Sequence, residues 1–536
     1  MKKTVITLSL LVMAISALAG GIVHNTNQSA SFIRMPARDA VFGIDAVYYN
    51  PAGLVKLNNG FHISLNNQYI TQTRNIKSTF PGMNRSEFEG GVTAPLFPSV
   101  YAAYKLNKFA ISFGFNPIGG GGSALFEEGL PAFEMQPSMI PAALTAGGVP
   151  TTAYSFDTEF EGQSIMYGFQ GGITYQIHDE ISLFAGARYV TVSNAYNGYL
   201  RNIMINPNRP DLGYNGAMMS APLFFTEFAG YLQVVSNTLL GTGQNLQPII
   251  DGGGGAVPLS QGTMAGLTPE QVAQLQGAIT QVGGDPSGMT IAQAQMFFFG
   301  ASQSFANNSK QMENNAAATQ DMEVDATQSG SGIVPIIGVN LQFAENFNIG
   351  IKYEFKTKIN VKNSTKIDDV GLYPDGLEVP SDLPAMLSVG MQYAPFKRLK
   401  LHAGVHHYFD RKVSYGKKIN DEFVTNAAFM ETDFMEAAFG LEFDITEKFL
   451  ISAGYLRTQT GVKENYQSDL SHSLSTNSLG GGLRFKFTPN IGLNLGVMNT
   501  WYIEDEREFV SPFAGAYKEI YNRKAFVAAI GLDLSF

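Results

Sequence analysis

The chain has 536 residues, a formal net charge of −10, 57 glycines, 12% aromatic residues and no cysteine. Without cysteine it has neither a disulfide framework nor a lipoprotein acylation site, and its negative charge disfavours nucleic acid as a partner. After the N-terminus, no stretch approaches the ~20 continuous apolar residues of a membrane-spanning helix. We therefore expect no nucleic-acid partner and a fold that needs neither disulfides nor apolar helices.

The N-terminus has the organisation of a secretory signal peptide. A basic start (residues 1–3) precedes an apolar stretch over residues 4–18, which ends small-x-small at Ala17 and Ala19. This order is typical of export signals, and the apolar run is short for a signal anchor. We predict a signal peptide over residues 1–19. An exported, cysteine-free chain rich in glycine and aromatic residues is either a large secreted β protein or an outer-membrane β-barrel.

Residues 20–57 have the pattern of neither a strand nor a disordered tail. They lie between the leader and the first alternating strand, and they include the sequence Asp45-Ala-Val-Tyr-Tyr-Asn-Pro-Ala-Gly53. A segment of this size needs a place to pack. The remainder, residues 58–536, has the pattern of a hollow barrel, so we predict that residues 20–57 fill the barrel lumen as a hatch.

Period-two alternation recurs through the rest of the chain. In the last segment the even positions from Phe526 to Phe536 are apolar, whereas Gly531, Asp533 and Ser535 lie between them. About ten residues with one apolar and one polar face are typical of a tilted transmembrane strand. The pattern predicts an antiparallel transmembrane β-barrel of about 14 strands, an even number as bacterial barrels require. These strands are residues 61–73, 99–106, 109–116, 165–177, 181–192, 332–343, 347–361, 385–393, 399–410, 437–444, 449–459, 479–487, 491–503 and 524–536.

The connections alternate between short polar turns and long loops. Outer-membrane barrels combine short periplasmic turns with long extracellular loops, whereas a secreted sandwich would not lengthen every second connection. The longest loop, about residues 200–331, is rich in Met, Phe and Leu, and Thr268-Pro-Glu-Gln271 has the form of a helix start. We expect short amphipathic helices in this loop. Whether it only packs on itself or also captures a ligand stays open.

Residues 45–53 resemble the hatch motif of the FadL-type outer-membrane transport family, the transporters of long-chain fatty acids and aromatic hydrocarbons. The motif residues here are Asp45, Asn50, Pro51, Ala52 and Gly53. The order of leader, hatch, about 14 strands and prominent loops after strands three and five is also similar to this family. The resemblance implies a protein of the bacterial outer membrane without a cofactor. Its implied partners are a hydrophobic small molecule, outer-membrane lipid and lipopolysaccharide, and we expect a monomer.

The resemblance also implies a mechanism. Outer loops capture a hydrophobic molecule, the barrel binds it near the hatch, and it leaves sideways through a window at a kink in the third strand. Here that strand runs into Asn116, Pro117, Gly119 and Gly120. Proline cannot donate to a strand ladder and glycine weakens it, so pairing should fail locally. The alternative is that Pro117 simply ends the strand at a loop.

In the alternating strands, charged residues occupy the positions that face the lumen. A charge on the lipid face at mid-bilayer would cost ~2–4 kcal/mol. The fatty-acid binders of the family hold the carboxylate with basic residues, and the inward Arg188 and Lys352 are candidates for this role. The alternative is that these residues pair with lumen acids, since Glu354 lies beside Lys352.

Two other functions compete with transport. A structural or adhesin barrel predicts a lumen packed by polar networks and no opening at Pro117. An enzyme is not expected, because no Gly-x-Ser-x-Gly sequence occurs. His402 and His406 share the inward face of one strand, but His407 faces the other side and no third metal ligand is identifiable, so we expect no metal.

Overall fold

The computed structural model of the chain describes residues 24–512 and 514–536. The predicted signal peptide and residues 20–23 of the predicted hatch lie outside these ranges. Among the described residues, no helix is long and apolar enough to cross a membrane. The chain divides into two compact units: Gln136–Asp157 with Arg201–Asp321 form the smaller one, and the other described residues form the larger one.

The larger unit is a closed antiparallel barrel. Consecutive strands pair with each other, and the last strand pairs with the first from Ser535 opposite His62 to Glu519 opposite Ser78. The predicted 14-stranded transmembrane barrel is therefore confirmed. Its strands are β1 (Gly60–Ser78), β2 (Ser99–Leu106), β3 (Phe109–Phe126), β4 (Tyr154–His178), β5 (Ile181–Ile205), β6 (Met322–Ala344), β7 (Phe347–Glu354), β8 (Met386–Phe396), β9 (Leu399–Tyr408), β10 (Phe434–Asp444), β11 (Phe449–Gln459), β12 (Thr476–Thr488), β13 (Ile491–Tyr502) and β14 (Gly515–Ser535).

The two faces of each strand differ as the alternation predicts. On β1 the outward Phe61, Leu65 and Tyr69 are exposed, whereas the inward His62 and Gln68 are buried. A band of exposed apolar side chains around a closed sheet would be unfavourable in water, and it matches the lipid-facing surface of a membrane barrel. The polar inward positions face the lumen.

Several strands are longer than predicted on the side of the long loops. β5 continues to Ile205 and β6 starts at Met322, so the loop predicted over residues 200–331 shortens to residues 206–321. In contrast, β7 ends at Glu354 rather than at residue 361, and a separate strand Asn360–Asp368 follows. Outside the bilayer a strand needs no apolar face, so the backbone ladder continues where the alternation has stopped.

Residues 24–57 lie inside the barrel, as predicted for the hatch. They contain helix α1 (Ala30–Arg34), helix α2 (Ala46–Tyr49) and a 3₁₀ helix (Pro51–Lys56). The Ser29 side chain caps α1 by accepting a hydrogen bond of 3.0 Å from the backbone N–H of Phe32. The apolar side chains form one core with the inner wall of the barrel. This core includes Phe32, Ile33, Val47 and Leu54 of the hatch and Tyr101, Phe184 and Ile336 of the wall.

Short elements occupy the connections of the barrel. They are the strands Glu87–Ala94, Glu378–Pro380, Lys418–Ile419, Glu422–Phe423 and Asp505–Ser511, the helix α3 (Pro131–Ala146), and the 3₁₀ helices Asp410–Lys412, Asn426–Ala428 and Glu464–Tyr466.

The smaller unit is helical, with its own apolar core. It contains α4 (Ala221–Gln244), α5 (Gln247–Asp251), α6 (Pro269–Gln281) and α7 (Ile291–Ala318), the 3₁₀ helices Pro210–Leu212, Gly254–Ala256 and Leu259–Ala265, and the short strands Asn208–Arg209, Tyr214–Asn215 and Met219–Ser220. The Ser236 hydroxyl of α4 donates to the Ser302 carbonyl of α7 at 2.8 Å. At the start of α6, the backbone N–H of Gln271 donates to the Thr268 hydroxyl and the Gln271 side chain accepts from the Thr268 N–H. The predicted helix start is confirmed.

Candidate functional site

The hatch is seated on a ring of inward-facing glycines. Each of the eight strands β7–β14 contributes one, and a Cβ atom at any of them would lie within 3.0 Å of a hatch atom or of Asn66. Real Cβ atoms essentially never approach other atoms so closely, so the hatch can lie against the wall only where the wall lacks side chains. The ring consists of Gly350, Gly390, Gly404, Gly440, Gly454, Gly480, Gly496 and Gly531.

Asp45 of the predicted hatch motif holds the hatch in its fold and is itself buried. It accepts two hydrogen bonds from the Arg38 guanidinium, at 3.0 and 2.8 Å, and one of 2.9 Å from the Ser29 hydroxyl. Arg38 also lies 3.6 Å from Glu442 of β10, which forms an ion pair of 2.6 Å with Arg34 of the hatch. This buried network links Arg34, Arg38 and Asp45 of the hatch to Glu442 of the barrel wall.

The other motif residues join the hatch to the strands on the opposite part of the wall. The Asn50 amide donates to the side chain of Asn340 on β6 at 2.9 Å. The carbonyls of Pro51 and Ala52 accept hydrogen bonds of 2.8 and 2.6 Å from hydroxyl groups of β4 and β5. A Cβ at Gly53 would lie 2.6 Å from the Asn50 amide nitrogen, so a larger residue here would displace the Asn50 side chain from its present position.

Arg188 and Lys352, the predicted ligand-binding candidates, lie together in the lumen and share one acid. Arg188 forms hydrogen bonds of 2.6 and 3.0 Å with the two carboxylate oxygens of Glu354, and Lys352 lies 2.8 Å from the same carboxylate. The Lys352 ammonium also donates to the backbone carbonyl of Tyr48 at 2.8 Å. Arg188 donates to the side chain of Gln170 at 2.7 Å. Both cations are buried and directed at Glu354 and the hatch.

Of the histidines singled out in the sequence, His406 contacts the hatch. The His406 ring lies between two carboxylates, with Nε2 2.7 Å from Asp39 of the hatch and Nδ1 2.8 Å from Glu436. His402 is buried 3.4 Å from Glu442. His407 faces the other side of β9, as predicted, and is half-buried. Within the described ranges, no group of three or more His, Asp or Glu side chains is arranged to hold a metal ion.

β3 is irregular where the kink was predicted. The strand continues beyond Pro117, so the alternative in which this proline ends the strand is wrong. Its register with β4 shifts between Pro117 and Gly119 and again between Gly119 and Gly122. Gly120 has a φ of 92°, a left-handed conformation that favours glycine. Asn116, at the start of this stretch, is fully buried.

Next to this stretch of β3, the barrel wall consists of two separate strands, Glu87–Ala94 and β2. The connection between β1 and β2 contains the strand Glu87–Ala94, which pairs with the second half of β1, while β2 pairs with its first half. Residues 95–98, Pro-Leu-Phe-Pro, separate the two strands, and Leu96 is 76% exposed. In the chain as described, registered pairs between β3 and these strands end at Phe115 and resume at Leu125.

The first described residues of the hatch bind the irregular stretch of β3. The backbone N–H of Asn25 donates to the Ile118 carbonyl at 2.9 Å, and the Asn25 side chain donates to the Gly120 carbonyl at 2.9 Å. The Gln28 side chain donates to the Pro117 carbonyl at 2.8 Å. Residues 24–28 of the hatch therefore satisfy backbone groups that an unbroken barrel would pair between strands.

A cavity of about 80 Å³ adjoins the same stretch. It includes residues 162–164 of β4, which pair in register with residues 122–124 of β3. Its walls are mainly aromatic and aliphatic, and are formed by Phe126, Leu130, Phe160, Tyr196, Tyr373 and Leu470. Sequence reasoning missed this cavity, because its walls come from four strands and three connections that no local pattern brings together.

Comparison with solved structures gives similar barrels along nearly the whole chain. The chain is similar to a Pseudomonas aeruginosa FadL homologue, with a TM-score of 0.55, 13% identity, and coverage of 96% of this chain and 100% of that one. It is also similar to the TodX deltaS2S3 mutant monoaromatic hydrocarbon channel (TM-score 0.52, 12% identity, coverage 96% and 100%). A third similar structure is the Pseudomonas putida toluene transporter TodX (TM-score 0.50, 13% identity, coverage 96% and 100%). The chain has the fold of the FadL-type barrels. No protein-family model and no curated protein matches it.

The hatch is held by different contacts at two regions of the barrel wall. Towards β7–β14 it rests on the glycine ring and is held by the buried ion pair of Arg34 with Glu442 and by the His406 contact with Asp39. At the irregular stretch of β3, hydrogen bonds of residues 24–28 form the contact. Tyr48 connects the two regions, because its hydroxyl lies 3.4 Å from the Asn25 carbonyl and its ring lies under Lys352.

Proposed function

We propose that this protein carries hydrophobic molecules passively across the bacterial outer membrane and releases them sideways into the lipid at the interruption between β2 and β3. The observation that carries the proposal is the loss of registered strand pairing between Phe115 and Leu125, where residues 24–28 of the hatch bind the backbone instead. A purely structural barrel would gain stability from continuous pairing. The competing structural or adhesin function predicts no such interruption at Pro117.

The anchoring of the hatch favours a sideways route over an axial one. Axial passage requires the hatch to leave the glycine ring, and leaving one partner of a buried ion pair such as Arg34–Glu442 without its counter-charge costs ~3–5 kcal/mol. Release of residues 24–28 leaves these ion pairs intact. It breaks hydrogen bonds to β3, Gln68, Ser99 and Tyr101, each with a net contribution of ~0.5–1.5 kcal/mol. The smaller movement opens the kinked stretch, with Asn116, Pro117, Gly119 and Gly120, while the rest of the hatch stays in place.

The direction of transport needs no energy source. Moving an apolar molecule from water into lipid is favourable by ~0.8 kcal/mol for each buried CH₂ group. The cavity beside β3 provides apolar walls on the lumen side of the interruption. On the other side of the interruption, the exposed Leu96 lies in the Pro-Leu-Phe-Pro segment between the strand Glu87–Ala94 and β2. A molecule released here would leave the cavity for the bilayer without crossing the hatch.

The proposed roles of the predicted site residues follow from their contacts. Asp45, Asn50, Pro51, Ala52 and Gly53 keep the main part of the hatch in its seat. Carboxylate binding by Arg188 and Lys352 stays a prediction. Their contacts favour the alternative in which both neutralise Glu354 and fix the hatch, because a substrate carboxylate would have to displace Glu354 from two cations.

A disulfide between the hatch and β3 tests the proposal. His24 and Gly119 form an antiparallel bridge, and such pairs have Cα atoms ~4.5–5.5 Å apart, within the range of a disulfide. The chain has no cysteine of its own, so His24→Cys with Gly119→Cys adds one defined pair. We expect oxidised cells to lose uptake of a labelled fatty acid or aromatic hydrocarbon, and reduction to restore it.

The matched control is Ala102→Cys with Phe113→Cys. These residues are opposite each other in the β2–β3 hairpin, so their disulfide leaves the hatch free. Uptake through the control barrel should be the same before and after reduction. Normal uptake through the hatch-locked barrel, with the disulfide verified by mass spectrometry, would refute the sideways gate. Equal uptake in a deletion strain and in cells with the native protein would refute transport altogether.

A further inference from the structure

Two arginines face each other in the lumen without an acid partner. Arg74 of β1 and Arg523 of β14 are directly opposite in register, and both occupy inward positions. Arg74 donates to the Gln72 side chain at 3.1 Å, and the Arg523 guanidinium lies 5.3 Å from the ring centroid of Tyr502. Neither arginine forms an ion pair in the part of the chain that the structure describes, and the buried Nε of Arg523 has no hydrogen-bond partner. Like charges opposite each other destabilise a sheet, so this pair calls for a neutralising group.

His472 lies beside the two arginines and lines the same cavity as Arg74. Its ring stacks on Tyr521 with 4.9 Å between centroids, and its Nδ1 lies 3.3 Å from the Ser468 carbonyl. The Nε2 atom is buried and has no hydrogen-bond partner. Burial, and then the charges of Arg523 and Arg74, lower the pKa of His472 well below its ordinary value. A negative charge placed here would relieve both arginines and favour a proton on this ring.

The acids near the cavity already have donors of their own. Asp469 lines the cavity, but its two carboxylate oxygens accept hydrogen bonds of 2.9 Å from the backbone N–H groups of Ala132 and Leu470. Glu519 accepts a hydrogen bond of 2.6 Å from the Tyr521 hydroxyl. Neither acid forms an ion pair with Arg74 or Arg523 within the described ranges. The positive charge of the arginine pair therefore remains to be matched.

The size and the walls of the cavity limit the kind of anionic ligand that could balance the charges of Arg74 and Arg523. Its volume is about 80 Å³, roughly half that of a cavity of ~150 Å³ that holds benzene. It suits a carboxylate and a few carbon atoms, and a longer chain would continue past Gly162 towards the irregular stretch of β3. A neutral hydrocarbon would add apolar surface beside two guanidinium groups and leave their charges unmatched. A carboxylate offers two oxygens to two guanidinium groups, a strong charge-assisted arrangement.

We propose that Arg74 and Arg523 bind the carboxylate of an amphipathic substrate, whose apolar chain lies against the aromatic walls of the cavity. This inference rests on the proposed transport function and specifies its substrate class as an apolar chain with an anionic head. It also assigns the head group to a different site from Arg188 and Lys352, whose charges Glu354 already balances.

Binding of two ligands that differ only in the head group tests this proposal. Purified full-length protein in detergent is titrated with dodecanoate and with dodecanol, and affinities are compared for the native protein, Arg74→Gln and Arg523→Gln. We expect the native protein to prefer the carboxylate, and each variant to lose roughly tenfold in affinity for dodecanoate with little change for dodecanol. Arg484→Gln is the control, because Arg484 is an inward arginine that already lies 3.7 Å from Asp444.

The possible results separate the two proposals. An equal loss of affinity for both ligands in Arg74→Gln and Arg523→Gln would overturn the head-group assignment, because it would show a loss of packing. Equal binding of dodecanoate and dodecanol by all variants would overturn it as well. If the native protein binds neither ligand, the head-group assignment fails, while the proposed transport function is decided separately by the uptake experiment with the deletion strain. Thermal unfolding without ligand verifies that the variants fold, and relief of the arginine repulsion should leave their melting temperatures no lower than that of the native protein.

Discussion

Replacement of Asp45 by asparagine should loosen the hatch without unfolding the barrel. Asp45 balances Arg38, and both side chains are almost fully buried. Removing one partner of a buried ion pair costs ~3–5 kcal/mol. The asparagine amide would still offer Arg38 one acceptor oxygen, and Glu442, 3.6 Å from Arg38, would still offset part of its charge. We therefore expect a cost at the lower end of this range. A loss of ~3 kcal/mol raises the population of the open hatch roughly 100-fold, because each 1.4 kcal/mol changes an equilibrium tenfold.

Hydrogen exchange followed by mass spectrometry measures this effect. In Asp45→Asn, peptides from residues 24–57 should exchange roughly 100-fold faster than in the native protein, while peptides from β8–β13 keep their protection. Glu87→Gln is the control, since Glu87 pairs with Lys77 on the exposed surface and should leave hatch exchange unchanged. Unchanged exchange of residues 24–57 in Asp45→Asn would refute the reasoning that the buried Arg38–Asp45 pair holds the hatch.

Two further predictions concern the glycine ring under the hatch and the loop between β9 and β10. Gly350→Ala places a Cβ against the backbone carbonyl of Asp39, so hatch peptides should lose protection, whereas Gly171→Ala, whose Cβ would lie 4.0 Å from the nearest atom, should behave as the native protein. Asp410 lies in the loop between β9 and β10, and burial raises the pKa of its carboxyl group from 3.8 to about 7. The folded loop therefore binds the proton of the Asp410 carboxyl group more tightly than the unfolded loop. Stability of residues 409–433 should therefore be greatest below pH ~4 and fall as the pH rises to ~7, and Asp410→Asn should flatten this dependence in hydrogen exchange.

The barrel is predictable from the sequence because lipid imposes a strict pattern. Every membrane-spanning segment must present apolar side chains outward, so alternation identified all fourteen strands and the inward positions of Arg188, Lys352 and His406. The pattern loses its meaning outside the bilayer, which explains why the ends at Ile205 and Met322 were placed wrongly. The strand Glu87–Ala94 was missed for the same reason.

The lumen is less predictable because it depends on contacts between distant parts of the chain. Arg74 and Arg523 are opposite only because β1 and β14 close the barrel, and their register cannot be read from either strand. The glycine ring could have been noticed, since inward glycines recur on eight successive strands, but its purpose depends on the path of the hatch. The pairing of Lys352 with Glu354 was predictable, because the two residues lie two positions apart on the inward face of β7.

The two kinds of hatch contact suggest why the opening would be confined to one side of the barrel. Residues 30–39 lie against glycines of β7–β14, where the wall has no side chain that could move aside to let the hatch slide. Residues 24–28 instead bind a stretch of β3 whose own register is broken, and Gly120 there already has a left-handed backbone. A local change at this stretch breaks hydrogen bonds of residues 24–28 and disturbs no buried ion pair of Arg34 or Arg38. A substrate held at the cavity beside β3 thus needs to displace only the part of the hatch that is held by hydrogen bonds rather than by ion pairs, and the anchored part continues to close the lumen.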